Sequence, residues 1–238
     1  MDAMQPGPSA VHVTSASPGD TQPAAASETQ SGVAEDTQSG LAEDMLAGDP
    51  MTQFARWMAQ AVQRGIPEPT AMVLATTSAD GRPRARTVLL KAHGQEGFTF
   101  YTNRTSRKGR DLAEHPRACA VFPWYALGRQ VTAEGSVRVM SQAASEPYFR
   151  SRPRGSQIGA WTSRQSQVIG SRAELERRFA ELQQRWPPPA QVPMPEFWGG
   201  YLLVPETVEF WQSGRYRLHD RLRYRRQGEG WAVERLSP

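Results

Sequence analysis

Five apolar runs rich in β-formers follow one another between residues 70 and 140, and most are joined by only a few residues. "TAMVLATT" (70–77) and "RARTVLLKA" (84–92) flank "SADGRP", whose Asp-Gly pair is a hairpin-turn signal. "FTFYT" (98–102) follows a turn through Gly94 and Gly97. "ACAVFPWY" (118–125) and "RQVTAEGSVRVM" (129–140) are separated by a short turn at Gly128. Strands joined this closely run antiparallel, because a parallel neighbour needs a crossover of about a dozen residues or more. The pattern predicts a meander that closes into a barrel or sandwich.

Helical periodicity lies on either side. Asp49 is a cap and Pro50 suits a first turn; Phe54, Trp57, Met58, Ala61 and Val62 then form one buried stripe that ends at Gly65. Further helices are expected at 141–151 and 171–185, the latter opened by the Ser171/Glu174 capping box. After "PPP" at 187–189, three more strands are expected: around 199–211, at 214–226 and at 230–236. The expected fold is a mixed β-barrel with flanking helices (α+β), mostly antiparallel, over residues 49–238. Residues 1–48 are Ala, Ser, Gly, Gln, Thr, Pro and acids, a composition that cannot bury enough apolar surface to offset chain entropy. They are expected to be a disordered acidic tail, and no function attaches to the eight-residue near-repeat "ETQSGVAE"/"DTQSGLAE" within it.

The formal net charge of +4 hides a split. Residues 1–50 hold no Lys or Arg and eight acids, which leaves 28 bases against 16 acids in the remainder. An acidic tail on a basic body is one signature of anion binding, and is equally compatible with a merely soluble tail. Of the 28 bases only Lys91 and Lys108 are lysines. The single cysteine, Cys119, cannot form an internal disulfide, so a reducing cytoplasm is expected. No apolar run approaches the ~20 residues of a bilayer span, and the first residues lack a secretory pattern.

Several chemistries have no support. There is no G-x-G-x-x-G after a strand, no Walker-type loop and no G-x-S-x-G elbow. His12, His93, His115 and His219 share no metal-ligand spacing, so no metal is expected. What remains is a set of basic and hydroxyl residues. "RTVLLK" begins with Arg86 and ends with Lys91; "YTNRTSRKG" offers Tyr101, Thr102, Arg107 and Lys108 in a loop opening a helix, where free N–H groups favour phosphate. "YFRSRPRGSQ" gathers Arg150, Arg152 and Arg154 with Tyr148, Ser151 and Ser156. Two such clusters suggest two phosphates, because tight anion binding needs several charge-assisted bonds to converge. In "GRYRLHDRLRYRR" (214–226) every second residue from Arg215 to Arg225 is Arg or His. Read as a strand, this is a cationic comb on one face. It is either a solvated face or a set of ligands for an anion.

"RTVLLK", "FYTNRTSRKG", "FPWYALGRQV", "YFRSRPRGSQIGAW", "RQSQ", "FWGGY" and "EFWQSGRYRLHDRLRY" stand in order between residues 50 and 238. Together they resemble the pyridoxine/pyridoxamine 5′-phosphate oxidases, FMN enzymes with a split β-barrel that work as homodimers. The resemblance implies that FMN is held between subunits by Arg86, Lys91, Tyr101, Thr102, Arg107, Lys108, Gln130, Gln165, Ser166, Trp211 and Arg221. It implies a substrate phosphate on Lys91, Tyr148, Arg152 and Ser156, with Arg217 and His219 as catalytic residues at the pyridine ring. Arg217, His219 and Arg221 would then share a strand face, with Arg215, Arg223 and Arg225 solvated. The implied reaction turns a ring-attached alcohol or amine into an aldehyde with O₂, releasing H₂O₂. The family's N-terminal Arg/Tyr segment over the substrate has no counterpart here, with no Arg before Arg56 and no Tyr before Tyr101. The site is therefore expected to close differently, or the substrate to be another cyclic compound of specialised metabolism. A non-catalytic flavin or nucleic-acid binder is the other alternative.

Overall fold

Helix α1 (Pro50–Gln63) starts where its cap predicts, in a computed structural model that describes residues 40–238. The Asp49 carboxylate accepts from the N–H groups of Met51 and Thr52, each at 2.9 Å, and Gly65 follows the helix at φ 69°. Phe54, Trp57, Met58 and Ala61 are buried as expected, but Val62 is 59% exposed. Eight residues on from Phe54 is about 80° around the helix, at the edge of the stripe rather than within it.

Nine strands form one curled antiparallel sheet, a split β-barrel: β1 (Ala71–Thr77), β2 (Pro83–Leu89), β3 (Ala92–Gly94), β4 (Gly97–Asn103), β5 (Arg117–Trp124), β6 (Arg129–Val139), β7 (Trp198–Gln212), β8 (Asp220–Gln227) and β9 (Gly230–Arg235). The order is β2-β1-β5-β6-β7-β4-β3, with β8 and β9 continuing from β7. The second expected run, 84–92, breaks at Leu90–Lys91, so that β3 can turn to pair with β4. The long strand β7 does most to shape the barrel. One edge pairs with β6 along its length, while the other pairs with β4 over 198–203 and with β8 over 207–212. The partner changes close to a register shift opposite Glu134/Gly135 of β6, where Glu206 is the extra residue on β7 and a side chain on Gly135 would strike the Val204 carbonyl.

Inside the curl, alternate strand residues meet the α1 stripe. Phe54 makes edge contacts with Phe98 and Phe122, each at 4.8 Å between ring centres, and Trp57 meets Phe210 at 5.1 Å. A second, smaller core lies beneath helices α3 (Gln142–Ser151), α4 (Arg154–Thr162) and α5 (Arg172–Arg185), built on Phe149, Ile158, Val192 and Trp198. Helix α4 was not expected. Gly155 and Gly159 weaken its propensity, and the run after Pro153 carries no apolar stripe.

Two expectations about the chain's course need correcting. Residues 40–48, expected in the tail, pack onto the barrel. Leu41 is 5% exposed and its N–H donates to Asp220 (2.9 Å), while Arg235 binds Glu43, Asp220 and the Leu41 carbonyl. The remainder of the expected tail, with the first copy of its repeat, lies outside the described residues. Nor is 214–226 one strand. Arg215–Arg217 form a 3-10 turn in which Tyr216 (φ 56°) and Arg217 (φ 65°) are left-handed, and β8 begins only at Asp220. Pairing of Gln212 with Asp220 forces the intervening residues into a tight connection. Gly214 has no room for a side chain against the Leu218 carbonyl.

Buried Tyr224 donates its hydroxyl to the Ala47 carbonyl at 2.6 Å, tying the 40–48 segment to β8. Tyr224→Phe should cost about 1–2 kcal/mol by leaving that carbonyl unpaired. The thermal midpoint should drop by about 2–8 °C. An unchanged midpoint would show that the segment adds nothing to stability.

Candidate functional site

Helix α2 (Arg107–Glu114) opens directly after β4, and its first turn faces the segment 165–166. Ser106 caps it by accepting from the Gly109 N–H, and the Arg107 N–H donates to Ser166 Oγ at 3.1 Å. Ser166 holds a left-handed backbone (φ 73°), unusual for a residue with a side chain. Lys108 Nζ donates to Gln165 Oε1 (2.8 Å) and Thr102 Oγ1 (3.1 Å). Burial and then the nearby Arg86 guanidinium hold the Lys108 pKa down to about 8. Arg86 donates to Thr76 Oγ1 (2.7 Å) and the Leu74 carbonyl (3.1 Å), and the buried Asp111 carboxylate, 2.7 Å from Arg84, lies 3.7 Å from it. Burial lowers the Arg86 pKa, and Asp111 opposes this.

The expected substrate residues stand next to this corner. Helix α3 carries Tyr148, its C-cap is Arg152, and Pro153 turns the chain into α4, which carries Ser156. The elbow is braced by the Gln157 amide, which donates to the carbonyls of Arg150 and Arg152. A cleft of about 450 Å³ is lined by Lys91, Tyr101, Thr102, Lys108, Tyr148, Arg152, Ser156, Gln165 and Trp198, together with Thr87–Leu89 and Pro153. It adjoins a second hollow of about 320 Å³ with which it shares Tyr101, Thr102, Arg152, Ser156, Gln165 and Trp198. Neither is lined by an acid, so Lys91, Lys108 and Arg152 have no carboxylate facing them there. Arg152 Nη1 is buried without a hydrogen-bond partner. A buried donor left unpaired costs about 1–3 kcal/mol, more when charged, which an anion in the cleft would recover. Tyr148, Tyr101 and Trp198 stack as an aromatic wall, with Tyr101 4.2 Å from Tyr148 and 5.3 Å from Trp198. Trp198 escaped the sequence reading. "FWGGY" was noted, but nothing local shows that the first residue of a strand also lines a cleft.

The other expected residues form a separate group. Gln130, Trp211 and Arg221 are a cross-strand row on β6, β7 and β8. The His219 ring lies 4.6 Å from that of Trp211 and its Nδ1 accepts from the Gly214 N–H (3.1 Å), which puts the proton of a neutral ring on Nε2. Arg217 is exposed on the turn. Trp198 and Trp211 lie near opposite ends of the 15-residue β7, roughly 40 Å apart along the strand at about 3.3 Å per residue. None of Gln130, Trp211, Arg217, His219 and Arg221 is among the residues that line either hollow.

The comb is explained mainly by ion pairs. Arg221 is bidentate with Glu209 (2.7 and 3.0 Å), and Arg223 and Arg225 share Glu234 (2.6 and 2.8 Å). Arg223 and Arg225 are thus partnered rather than simply solvated, and no strand parity aligns Arg217 with Arg221. Cys119 is inert, its thiol pushed up to about 11 by burial and then Glu134. Among the described residues no three His, Cys, Asp or Glu side chains group as metal ligands, and no helix is long and apolar enough to cross a membrane.

A curled split barrel carrying an acid-free cationic cleft with an aromatic wall defines a class of small-anion-binding proteins. Comparison makes this specific: residues 58–186 match the family model described as pyridoxamine 5′-phosphate oxidase, and residues 198–238 the pyridoxine 5′-phosphate oxidase C-terminal dimerisation region. The chain belongs to the pyridoxamine 5′-phosphate oxidase family. A Frankia alni protein named pyridoxine/pyridoxamine 5′-phosphate oxidase is 61% identical over 190 residues, 78% of this chain and 79% of that protein. One of the same name from Acidothermus cellulolyticus is 55% identical over 197 residues, 81% of this chain and 88% of its own. Among solved structures, PhzG from Burkholderia lata, in complex with tetrahydrophenazine-1-carboxylic acid, matches with TM-score 0.77 and 32% identity, covering 82% of this chain and 95% of that one.

Lys108 titrates below its ordinary 10.5, so between about pH 8 and that value the folded chain holds fewer protons than the unfolded one. Its burial therefore destabilises the protein below pH 8, and this cost fades as the pH rises. An anion in the cleft favours the charged amine. Binding of inorganic phosphate above pH 8 should thus take up a proton and weaken with rising pH, and Lys108→Met should abolish the uptake. Calorimetric titration in two buffers of different ionisation heat measures this.

Proposed function

We propose that the protein oxidises pyridoxine 5′-phosphate and pyridoxamine 5′-phosphate to pyridoxal 5′-phosphate with FMN and O₂, releasing H₂O₂ and, from the amine, ammonia, in vitamin B6 cofactor synthesis or salvage. The observation that carries this reading is the buried, unpaired Nη1 of Arg152 in an acid-free cleft that Lys91 also lines. A single phosphomonoester would satisfy both, with the hydroxyls of Tyr148 and Ser156 as further donors. A second, cationic corner at Lys108, Thr102, Arg107 and Ser166, with Arg86 behind it, fits the phosphate of FMN. Lys91, Tyr101 and Gln165, which line the same cleft, are further contacts for the flavin in this reading. When bound, FMN supplies the redox chemistry, taking electrons from the substrate carbon and passing them to O₂.

The chain's own residues bind and orient. The row Gln130–Trp211–Arg221, with Arg217 and His219, lines neither hollow of its own protomer, which supports a two-fold dimer in which each cleft is completed by the partner's row. Arg217 offers a fork of N–H donors and no acceptor, and so orients the substrate rather than taking a proton from it. His219, with Nδ1 engaged by Gly214, is a donor at Nε2 to the substrate's alcohol oxygen. Among the described residues the segment 40–48 runs beside this turn through Asp220, and no Arg/Tyr pair overhangs the cleft from it.

The purified protein should be yellow, consume O₂ with both phosphorylated vitamers and release peroxide. Unphosphorylated pyridoxine should be at least about 100-fold poorer in kcat/KM, from the loss of two charge-assisted bonds of about 1.5–3 kcal/mol each. Arg217→Leu should depress kcat while flavin content stays normal. A colourless protein, or equal use of pyridoxine with and without its phosphate, would sink this reading.

Mixing inactive Arg152→Leu and Arg217→Leu subunits tests the shared site separately. Random exchange leaves one intact site in each mixed dimer, so activity should recover to about a quarter of wild type. If both halves of the site came from one chain, mixing would restore nothing.

A further inference from the structure

How Arg152 is held decides what it can hold. Its guanidinium carbon stands 5.0 Å from the Trp198 ring centre and 5.6 Å from that of Phe149, and no carboxylate lines the cleft around it. Elsewhere in the same chain arginines are fixed by acids: Arg221 by Glu209, Arg223 by Glu234, Arg117 by Glu206. A carboxylate fixes the side chain but cancels its charge and occupies its donors. An aromatic face attracts the cation through the ring's quadrupole and takes none of its N–H groups. That difference accounts for Nη1 being both buried and unpaired.

Trp198 is well placed for this task. It is 6% exposed, its ring is nearly parallel to those of Tyr101 (13°) and Tyr148 (14°), and Phe149 meets its edge at 5.1 Å. At the next position the Arg104 guanidinium fills the space that a side chain on Gly199 would need, and it donates to the Met140 carbonyl at 2.7 Å. The tryptophan is thus clamped from several sides, and the arginine rests on a surface that cannot move away.

We propose that Trp198 is the positioning residue that makes the cleft selective for a phosphomonoester, by holding Arg152 in place with its charge and donors free. The inference rests on the proposed oxidase function for its substrate, but not for its binding step.

The test compares Trp198→Phe and Trp198→Leu with the wild-type holoenzyme. With pyridoxine 5′-phosphate, KM should rise about ten-fold in the leucine variant and about three-fold in the phenylalanine variant, as expected for progressive loss of a cation–π contact, with kcat nearly unchanged. With unphosphorylated pyridoxine neither variant should lose activity. A merely structural role would instead lower kcat and flavin content and harm both substrates alike, and that result would overturn the proposal. Should the leucine variant not fold, Trp198→Phe is repeated in an Arg152→Leu background. There its effect is read as affinity for inorganic phosphate by thermal stabilisation, which must no longer fall on Trp198→Phe, and an equal loss in both backgrounds would overturn the proposal. Affinity for inorganic phosphate, read as thermal stabilisation, must follow the same order. If the wild type turned over neither vitamer the oxidase reading would fail, while the phosphate measurements would still judge Trp198.

Discussion

The hydrogen-bonding demand of one long strand organises this molecule. Every N–H and C=O of β7 buried in the sheet needs a partner, and no single neighbour runs along the whole of its second edge. The strand therefore takes β4 first and β8 afterwards, and the sheet splits where the partner changes. The consequence is functional. The first half of β7 and β4 bring Trp198, Tyr101 and Thr102 to the cleft, whereas the second half and β8 carry Trp211, Arg221 and the Arg217–His219 turn away from it. The two groups thus stand on different halves of one strand, and residues 198–238, which hold the second group, match a dimerisation region.

Arginine meets two fates in this one chain, and neighbouring charge decides which. On β8 and β9, cross-strand carboxylates neutralise Arg221, Arg223, Arg225 and Arg235, so that these residues knit strands together and pin the 40–48 segment. Exposed pairs of this kind contribute little individually. In the cleft, Lys91, Lys108 and Arg152 face hydroxyls, amides and aromatic rings instead. Keeping like charges half-buried without acids destabilises the empty protein, and the lowered pKa values of Lys108 and Arg152 express that cost. The free energy withheld from the fold is available to a bound anion.

Backbone strain falls in the same places. Of the four residues other than glycine with left-handed backbones among those described, Ser166, Tyr216 and Arg217 lie in the two segments that carry proposed ligand contacts, and only Glu68 stands apart. Such conformations cost of order 1–3 kcal/mol each and persist where surrounding structure over-determines them. Here the helix α2 amide bound by Ser166 and the narrow connection at Gly214 do so.

Much of this was legible in sequence, because it depends on short-range rules. Period-two alternation and Gly turns mark strands, Asp49 and Ser171 mark helix starts, and the ordered motifs announce the family. The comb shows where such rules stop. A period of two reads as one strand face whether or not the chain turns within it, and only the pairing of Gln212 with Asp220 places a 3-10 turn inside the run. Helix α4 likewise forms through packing on the second core rather than through propensity, and Leu41 is buried by contacts with residues nearly the whole chain away. Residue types and their local order were enough to determine most of the strands and helices, the antiparallel barrel class and the family. Which cations face no carboxylate, which rings support them and which of the candidate residues line the cleft were decided by the tertiary structure, since charge compensation and distance depend on neighbours that the linear order does not specify.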